Sequence, residues 1–435
     1  MGVSGGPDMI QNGLVLLMDA SDTFSPVSRN LYNYTSDLTN ANWVKTRCQI
    51  TGSFGTAPDG TNTAAAMTIT DSSSLVRLTH SSFTASVEGG PYTFSVYVKN
   101  NNCTAGVLNL GIYNGTQTAG TEPEYAIQAN FTPTGSTPAL VVTRSIQDVG
   151  NGWYRITNTT ILTSSVHTFS NFIDIENGLG GNKVNGESIL LWGPQFEAGL
   201  SATSYQAIAT TTRTAPDLSN NNNTGTYSTN RPTWTPNNQG SIAFLSPPLG
   251  NPTISYPSSS TINISGSNMS AEVWVKFNYL DYTTTSGSLM YFFYKGIPDN
   301  PNPHNGFWFS YDNRGNRGSF TYTCFGNTSG GFSGGGNNFG DSIYSQNFTT
   351  GSWNYIAFTI NNNTGSFYIN GVQKGTTKNF TNLDLYNTGS STMGVSTGGV
   401  RNTPFEIASL KLYNRSLSPT EISQNYNALK SRFNL

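Results

Sequence analysis

The tightest constraint on this chain is its rhythm. Apolar residues come in short bursts, and almost nowhere do they recur with the period of a helix. "YTFSVYVK" at 92–99 alternates, so that Tyr92, Phe94, Val96 and Val98 fall on one side of an extended chain and Thr93, Ser95, Tyr97 and Lys99 on the other. "GVLNLGIY" (106–113), "ALVVTRSI" (139–146), "WYRITNTTIL" (153–162) and "SILLWGPQFE" (188–197) continue the series, with turn clusters such as "NGT" at 114 and "GLGGN" at 178 between them. Strands at this spacing, without helices between them, predict an antiparallel β-sandwich.

At Ala209 to Asn223 the texture changes to "ATTTRTAPDLSNNNN", a polar stretch that marks a boundary. A second strand series follows: "SIAFL" (241–245), "AEVWVKFNYL" (271–280), "SLMYFFYKG" (288–296), "NGFWFSYD" (305–312), "SFTYTCFG" (319–326), "WNYIAFTIN" (353–361), "GSFYINGVQKG" (365–375) and "FEIASLKLYN" (405–414). Asn370-Gly371 is the two-residue signal of a tight hairpin. A single helix is predicted, at the C-terminal end: Ser418 as N-cap, Pro419 at the first position and Glu421 closing a capping box. Its apolar face would be Ile422, Tyr426, Leu429 and Phe433, docked on a sandwich.

Composition separates this pattern from disorder. Only 10% of the 435 residues are charged, which a disordered chain could share, but 24 Phe, 22 Tyr and 7 Trp alongside 46 Gly fit many short strands and tight turns. The net charge of −2 without a basic cluster argues against nucleic acid as a partner. No stretch of eighteen apolar residues predicts membrane insertion, and "MGVSGGPD" lacks the basic start and apolar core of a signal peptide. The expectation is a soluble protein made in a cytoplasm.

Candidates for chemistry are few. In "FIDIEN" (172–177), alternation places Phe172, Asp174 and Glu176 on one face. Laminarinases and related retaining β-glucanases use a Glu-x-Asp-x-Glu strand; here the nucleophile position is Phe172, so no covalent glycosyl intermediate can form. His80, His167 and His304 are isolated, and Cys48, Cys103 and Cys324 lack zinc or redox spacing, so the cysteines are expected as free, buried residues. "GFSGGGNNFG" lacks the Lys-Ser/Thr ending of a phosphate loop. Asp299-Asn300 and Asp312-Asn313 are calcium ligands in type only; Ca²⁺ stays open, and no other cofactor is expected. Trp43, Trp153, Trp192, Trp274 and Trp353 are expected in cores, whereas Trp308, Tyr311, Tyr279 and Tyr282 could face solvent and stack on sugars. No catalytic, metal or glycan-binding residue can be assigned, and the chain is expected not to be an enzyme.

The second series carries a resemblance. "PDLSNNNNTGTYSTNRPTWTPNNQGSIAF", "MSAEVWVKF", "GSWNYIAFTINNNTGSFYINGVQKG" and "IASLKLYNRSLSPTEISQNYNALKSRF" resemble laminin-G/concanavalin-like jelly-roll domains of virion proteins in tailed bacteriophages. Such domains usually open on a phrase like "NGLVLLMDA", which here stands at 12–20, far from its continuation at Asp217. The piece between has its own signature. "RNLYNYTSDLTNANWVK", "APDGTNTA", "DVGNGWYRI" and "LLWGPQFEAGLSATSY" resemble a carbohydrate-binding-module-like β-sandwich of phage fibres.

The fold implied is all-β: residues 1–28 and 213–435 form a discontinuous jelly roll, 29–212 an inserted sandwich, and one short helix ends the chain. Two consecutive domains with 1–28 as an extended arm is the alternative. The resemblance implies a non-enzymatic structural protein on the virion surface, as head decoration, fibre or tail appendage. Its partners would be other virion proteins and host cell-surface glycans, with many copies or a homo-oligomer on each particle. Rival roles are a host-polysaccharide adhesin proper and a glycan depolymerase.

Overall fold

Leu14–Asp19 is buried along its whole length, and its surroundings explain why it is apolar at successive positions instead of alternating. The computed structural model describes residues 8–21, 30–87, 90–113, 123–138, 141–162, 165–178, 181–209, 214–228, 232–235, 237–244, 252–278, 289–295, 306–312, 319–325, 337–339, 349–379, 385, 388–394 and 405–435. In it, Leu14–Asp19 runs antiparallel to Phe405–Tyr413, with Leu17 opposite Lys411 and Met18 opposite Leu410. Ser241–Phe244 pairs with the rest of that strand, Ile242 opposite Ile407 and Phe244 opposite Phe405. The two segments follow one another along a single edge of 405–413. The Ala20 N–H donates to the Ala408 carbonyl at 2.9 Å and bridges the junction.

Residues 1–27 and 213–435 form one compact unit and residues 28–212 a second. The first is a sandwich of two eight-stranded sheets. One sheet runs Thr233–Thr235, Ser241–Phe244, Phe405–Tyr413, Met269–Phe277, Trp353–Asn361, Thr364–Ile369 and Val372–Asn379, with Leu14–Asp19 also on Phe405–Tyr413. The other runs Thr214–Ala215, Gly225–Tyr227, Ile254–Tyr256, Ser391–Gly394, Leu289–Lys295, Gly306–Asp312, Ser319–Phe325 and Asn337–Phe339. Val15, Met18, Val273, Phe358 and Leu410 of the first meet Ile254, Phe292, Phe307 and Met393 of the second in the core. Leu14 and Leu17 point the other way, into an apolar layer with Trp274, Tyr355, Ile422 and Phe433. A strand with apolar packing on both faces needs a continuous run.

That outer layer is roofed by the helix Pro419–Leu429, whose Ser418–Glu421 capping box is complete. Its buried stripe differs from the expected one: Ile422, Asn425 and Ala428 are buried, while Tyr426 is half-buried and stacks on Trp274. Phe433 arrives from the following 3-10 turn, its ring centroid 4.3 Å from that of Trp274. The polar residue at the centre has a reason. Asn425 Nδ2 donates to Glu272 Oε1 at 2.8 Å and to the Tyr413 hydroxyl at 3.1 Å, and its Oδ1 accepts from the Ile10 N–H at 2.8 Å. Glu272 is also paired with Lys411 at 3.2 Å, and both are almost wholly buried. A buried ion pair needs its remaining lone pairs filled, and the helix supplies the missing donor.

The second unit is also a sandwich. One six-stranded sheet runs Thr132–Thr134, Glu124–Ala126, Val107–Gly111, Phe172–Glu176, Val76–His80 and Trp43–Thr46. The other runs Val141–Gly150, Trp153–Leu162, Gly90–Asn100, Ser188–Ala198, Ala64–Ile69 and Cys48–Gly55. Phe94, Val96, Leu108, Leu110, Ile156, Ile173 and Leu191 fill the space between them.

Two measurements probe this architecture. Gly240 has φ +114°, and a Cβ there would stand 2.4 Å from the Ala20 carbonyl oxygen at the strand junction. Gly240→Ala is expected to lower unfolding stability by about 2–4 kcal/mol in urea titrations. Gly351→Ala, at φ +81° but in open space, should lose only about 1 kcal/mol. The second concerns acid. The Arg415 guanidinium, foremost, and the Ser418 cap hold Glu421 down to about 2, from an ordinary value of 4.5. Because the folded-state value is lowered, this contribution is present above pH 4.5 and is lost as the pH falls towards 2. The pair is partly solvated, so Glu421→Gln should flatten the stability–pH curve over that window by only about 1 kcal/mol.

Candidate functional site

In the second unit, the ladder between Ser188–Ala198 and Gly90–Asn100 shifts register between Trp192 and Gln195. There Gly193, at φ +59°, and Pro194, which has no N–H to pair, stand opposite the single residue Val96. A side chain at Gly193 would meet the Tyr205 ring at 3.0 Å, so the bulge also seats Tyr205. Leu191 faces the core, and Trp192 therefore lies on the outer face of its sheet.

Three neighbouring strands bring Arg155, Tyr97 and Trp192 into one row, since Arg155 is opposite Tyr97 and Tyr97 opposite Trp192. The rings of Tyr97, Trp192 and Tyr205 form an edge-to-face chain, with centroids 5.1 and 4.5 Å apart. All three are half-buried. Trp192 Nε1 donates to Thr63 Oγ1 at 3.1 Å and the Tyr205 hydroxyl to Thr35 Oγ1 at 3.2 Å, which fixes two of the rings. The Arg155 guanidinium lies 5.0 Å from the Tyr97 ring centroid, and its Nη2 donates to Ser95 Oγ at 3.0 Å. Arg155 is only 8% exposed, and its Nε has no partner among the described residues.

Further along the same face, Glu197 accepts from Gln195 Nε2 at 2.5 Å and from the Thr203 N–H and hydroxyl at 2.9 and 2.7 Å. Burial pushes its carboxyl above the usual range, partly offset by those bonds and by the more distant Arg155 charge. Glu197 is thus occupied by its own loop. Among the described residues the row offers aromatic surface, hydroxyls and guanidinium donors, and no pair of free carboxylates. Such a surface can bind a polyhydroxylated ring.

The other candidates resolve differently. Asp174 is fully buried and takes Arg77 in a two-point pair, Nε to Oδ1 at 2.7 Å and Nη2 to Oδ2 at 2.5 Å. That guanidinium lies 3.6 Å over the Phe172 ring, which fills the space above Gly111. "FIDIEN" is therefore an internal ionic tie. His80 is buried, stacked on Tyr32 at 4.4 Å and bonded to the Ser81 and Asn33 carbonyls. Cys48 and Cys103 are free and buried; the Cys324 side chain lies outside the described residues. Trp43, Trp153, Trp274 and Trp353 are core, but Trp192 is only half-buried, because alternation after Leu191 puts it on the outer face.

Asp299-Asn300, Asn313, the side chains of Asp312, His167, Trp308 and Tyr311, and His304, Tyr279 and Tyr282 lie outside the described residues, as does most of the glycine-rich 326–340 segment. Among the described residues no cluster of three or more His, Cys, Asp or Glu side chains could hold a metal, and no helix is long and apolar enough to cross a membrane.

Residues 250–423 match the family described as the concanavalin A-like lectin/glucanases superfamily. The first unit thus contains a concanavalin-like jelly-roll domain within an all-β chain. Solved structures similar to the chain include the binding domain of Paraclostridial Mosquitocidal Protein 1, at 18% identity over 49% of this chain and 49% of that one, with a TM-score of 0.37. The botulinum neurotoxin serotype G binding domain aligns at 18% identity over 48% and 47%, again with a TM-score of 0.37. The binding domain of botulinum neurotoxin DC in complex with SialylT aligns at 15% identity over 49% and 48%, with the same score. The chain spans about half the length of these solved structures. No curated protein sequence matches it.

Removing one partner of the Arg77–Asp174 tie leaves a charge without its counterion in the sheet. Asp174→Ala is expected to lower the unfolding stability of residues 28–212 by about 3–5 kcal/mol in denaturant titrations followed by Trp fluorescence.

Proposed function

We propose that the chain is a non-enzymatic glycan-binding structural protein on the exterior of a tailed phage particle, made in the host cytoplasm and carried in many copies. The observation that carries the binding role is the Arg155–Tyr97–Trp192 row, continued by Tyr205, on the outer face of a sheet. Aromatic rings held edge-to-face by hydrogen bonds offer a rigid apolar surface for the C–H faces of a sugar, with polar donors beside it. The concanavalin A-like match over residues 250–423 adds a second domain of a superfamily that includes lectins.

On this reading residues 29–212 are a carbohydrate-binding-module-like sandwich inserted into the first loop of a jelly roll. The jelly roll would anchor the protein to other virion proteins, and the inserted sandwich would meet host polysaccharide. A strip this shallow binds weakly at one site and needs multiplicity to hold a cell surface. That requirement suits a particle with repeated subunits and favours adhesion over cleavage.

Two measurements test the reading. Immunogold labelling should find the protein on the outside of purified particles, and its absence from them would remove the virion assignment. In affinity electrophoresis through gels containing host-envelope polysaccharide, Trp192→Ala and Tyr97→Ala should weaken retention about tenfold each, the effect of losing about 1.4 kcal/mol of stacking. Release of new reducing ends from the same polysaccharide would replace the adhesin by a depolymerase.

A further inference from the structure

The buried cations of this chain have partners of two kinds. Lys411 pairs with Glu272, and Arg432 pairs with Asp19 while donating to the Asn238 and Gly240 carbonyls; Lys295 donates to the Gly389 carbonyl and Lys183 to Asn177 Oδ1. Arg155 differs in leaving a buried donor unused. It is only 8% exposed, yet its one side-chain hydrogen bond among the described residues goes to a neutral hydroxyl, Ser95 Oγ. Its Nε is buried and unpartnered, and no carboxylate lies within ion-pair distance among the described residues. Glu197, the acid of the same face, already has three donors of its own.

Glu197 acts on Arg155 only from a distance, so the guanidinium has lost most of its water without gaining a paired counterion, and that is costly. Such a group serves either a packing role or a ligand. The stack on Tyr97 orients the guanidinium plane, so that the in-plane donors keep a fixed direction.

We propose that Arg155 is the recognition group for a carboxylate-bearing sugar, a uronic or sialic acid type of residue, bound along the Tyr97–Trp192–Tyr205 strip. The inference rests on the reading of that strip as a glycan site. A planar carboxylate matches the guanidinium fork with two parallel hydrogen bonds and supplies the missing negative charge. A neutral sugar hydroxyl supplies one acceptor and leaves the guanidinium without an ion pair. The sugar ring then extends from Arg155 over the aromatic row, so charge sets the choice of ligand and stacking adds affinity.

The test uses the full chain on immobilised polygalacturonate, alginate, hyaluronan and colominic acid, each beside its methyl-esterified form, with dextran and dextran sulfate as neutral and sulfated controls. The expected result is retention by at least one carboxylated glycan, reduced at least tenfold by esterification. Arg155→Gln should lose that retention to the same extent. Arg155→Lys should keep part of it, because charge survives without the fork. The thermal midpoint of Arg155→Gln should stay unchanged or rise, since the substitution removes a buried charge that has no ion pair.

Equal retention of a glycan and its ester overturns the inference, as does retention by dextran sulfate equal to that by the carboxylated glycans. A lowered midpoint in Arg155→Gln, with parallel loss on acidic and neutral glycans, would assign Arg155 to packing and overturn it too. Retention by neutral glycans alone overturns this inference and leaves the glycan reading standing. Retention by none of the matrices, with host-envelope polysaccharide also unbound, removes both.

Discussion

Every N–H and C=O of Leu14–Asp19 must find a partner, because the strand is buried on both faces and water cannot serve it. One edge is met by Phe405–Tyr413. The other is met by the polar stretch at the domain boundary. Asp217 Oδ1 accepts the Leu17 N–H at 3.0 Å, and the Leu218 N–H donates to the Leu17 carbonyl at 2.9 Å. Asn223 and Asn221 side chains donate to the Val15 and Leu14 carbonyls at 2.7 and 3.0 Å. Side-chain amides and a carboxylate thus replace a neighbouring strand and close an edge that would otherwise invite pairing with another chain. Asp217 also accepts the Ser219 and Asn223 N–H groups, so one carboxylate folds the turn and anchors the strand together.

A second clamp closes the far end of the same strand. Asp19 accepts from Arg432 at 2.9 Å, and Arg432 reaches on to the Asn238 and Gly240 carbonyls. Trp234 Nε1 donates to the Ala20 carbonyl at 3.0 Å, in the space that Gly240 leaves open by lacking a side chain. The unit is therefore tied together by a few polar contacts between segments hundreds of residues apart, laid over a large apolar core. The polar contacts set register and connectivity, and the core supplies the bulk of the driving force.

Much of this was legible in the residues. Alternation in "YTFSVYVK" and "WYRITNTTIL" marks strands found at Gly90–Asn100 and Trp153–Leu162, and the helix cap at Ser418 can be read directly. The Asn370-Gly371 turn has both residues at positive φ, as a two-residue hairpin requires. The matching Asn362-Asn363 turn was less visible, because Asn is so common here that no single one stands out. Ala64–Ile69 escaped because three alanines carry little β signal by themselves; the packing of neighbouring strands makes it extended. Asn425 could not be assigned to the buried helix face, since its partners Glu272 and Tyr413 come from distant strands. The outward direction of Trp192 follows from alternation after Leu191 and the bulge from the Gly193-Pro194 that comes next, but what stands beside Trp192 depends on Tyr97 and Arg155 from other strands.

The split edge strand also has a consequence for the order in which the protein forms during synthesis. Residues 14–19 leave the ribosome before residues 28–212, and their partner strand, 405–413, only after them. At roughly 5–20 residues per second the interval is on the order of 20–80 s. Throughout it an apolar run has no sheet to enter, whereas residues 28–212 have a complete core of their own within the same period. The sequence separation that builds a firmly tied jelly roll thus makes its folding wait for residues 405–413, and gives the apolar residues at 14–18 a long exposure to chaperones or to neighbouring nascent chains.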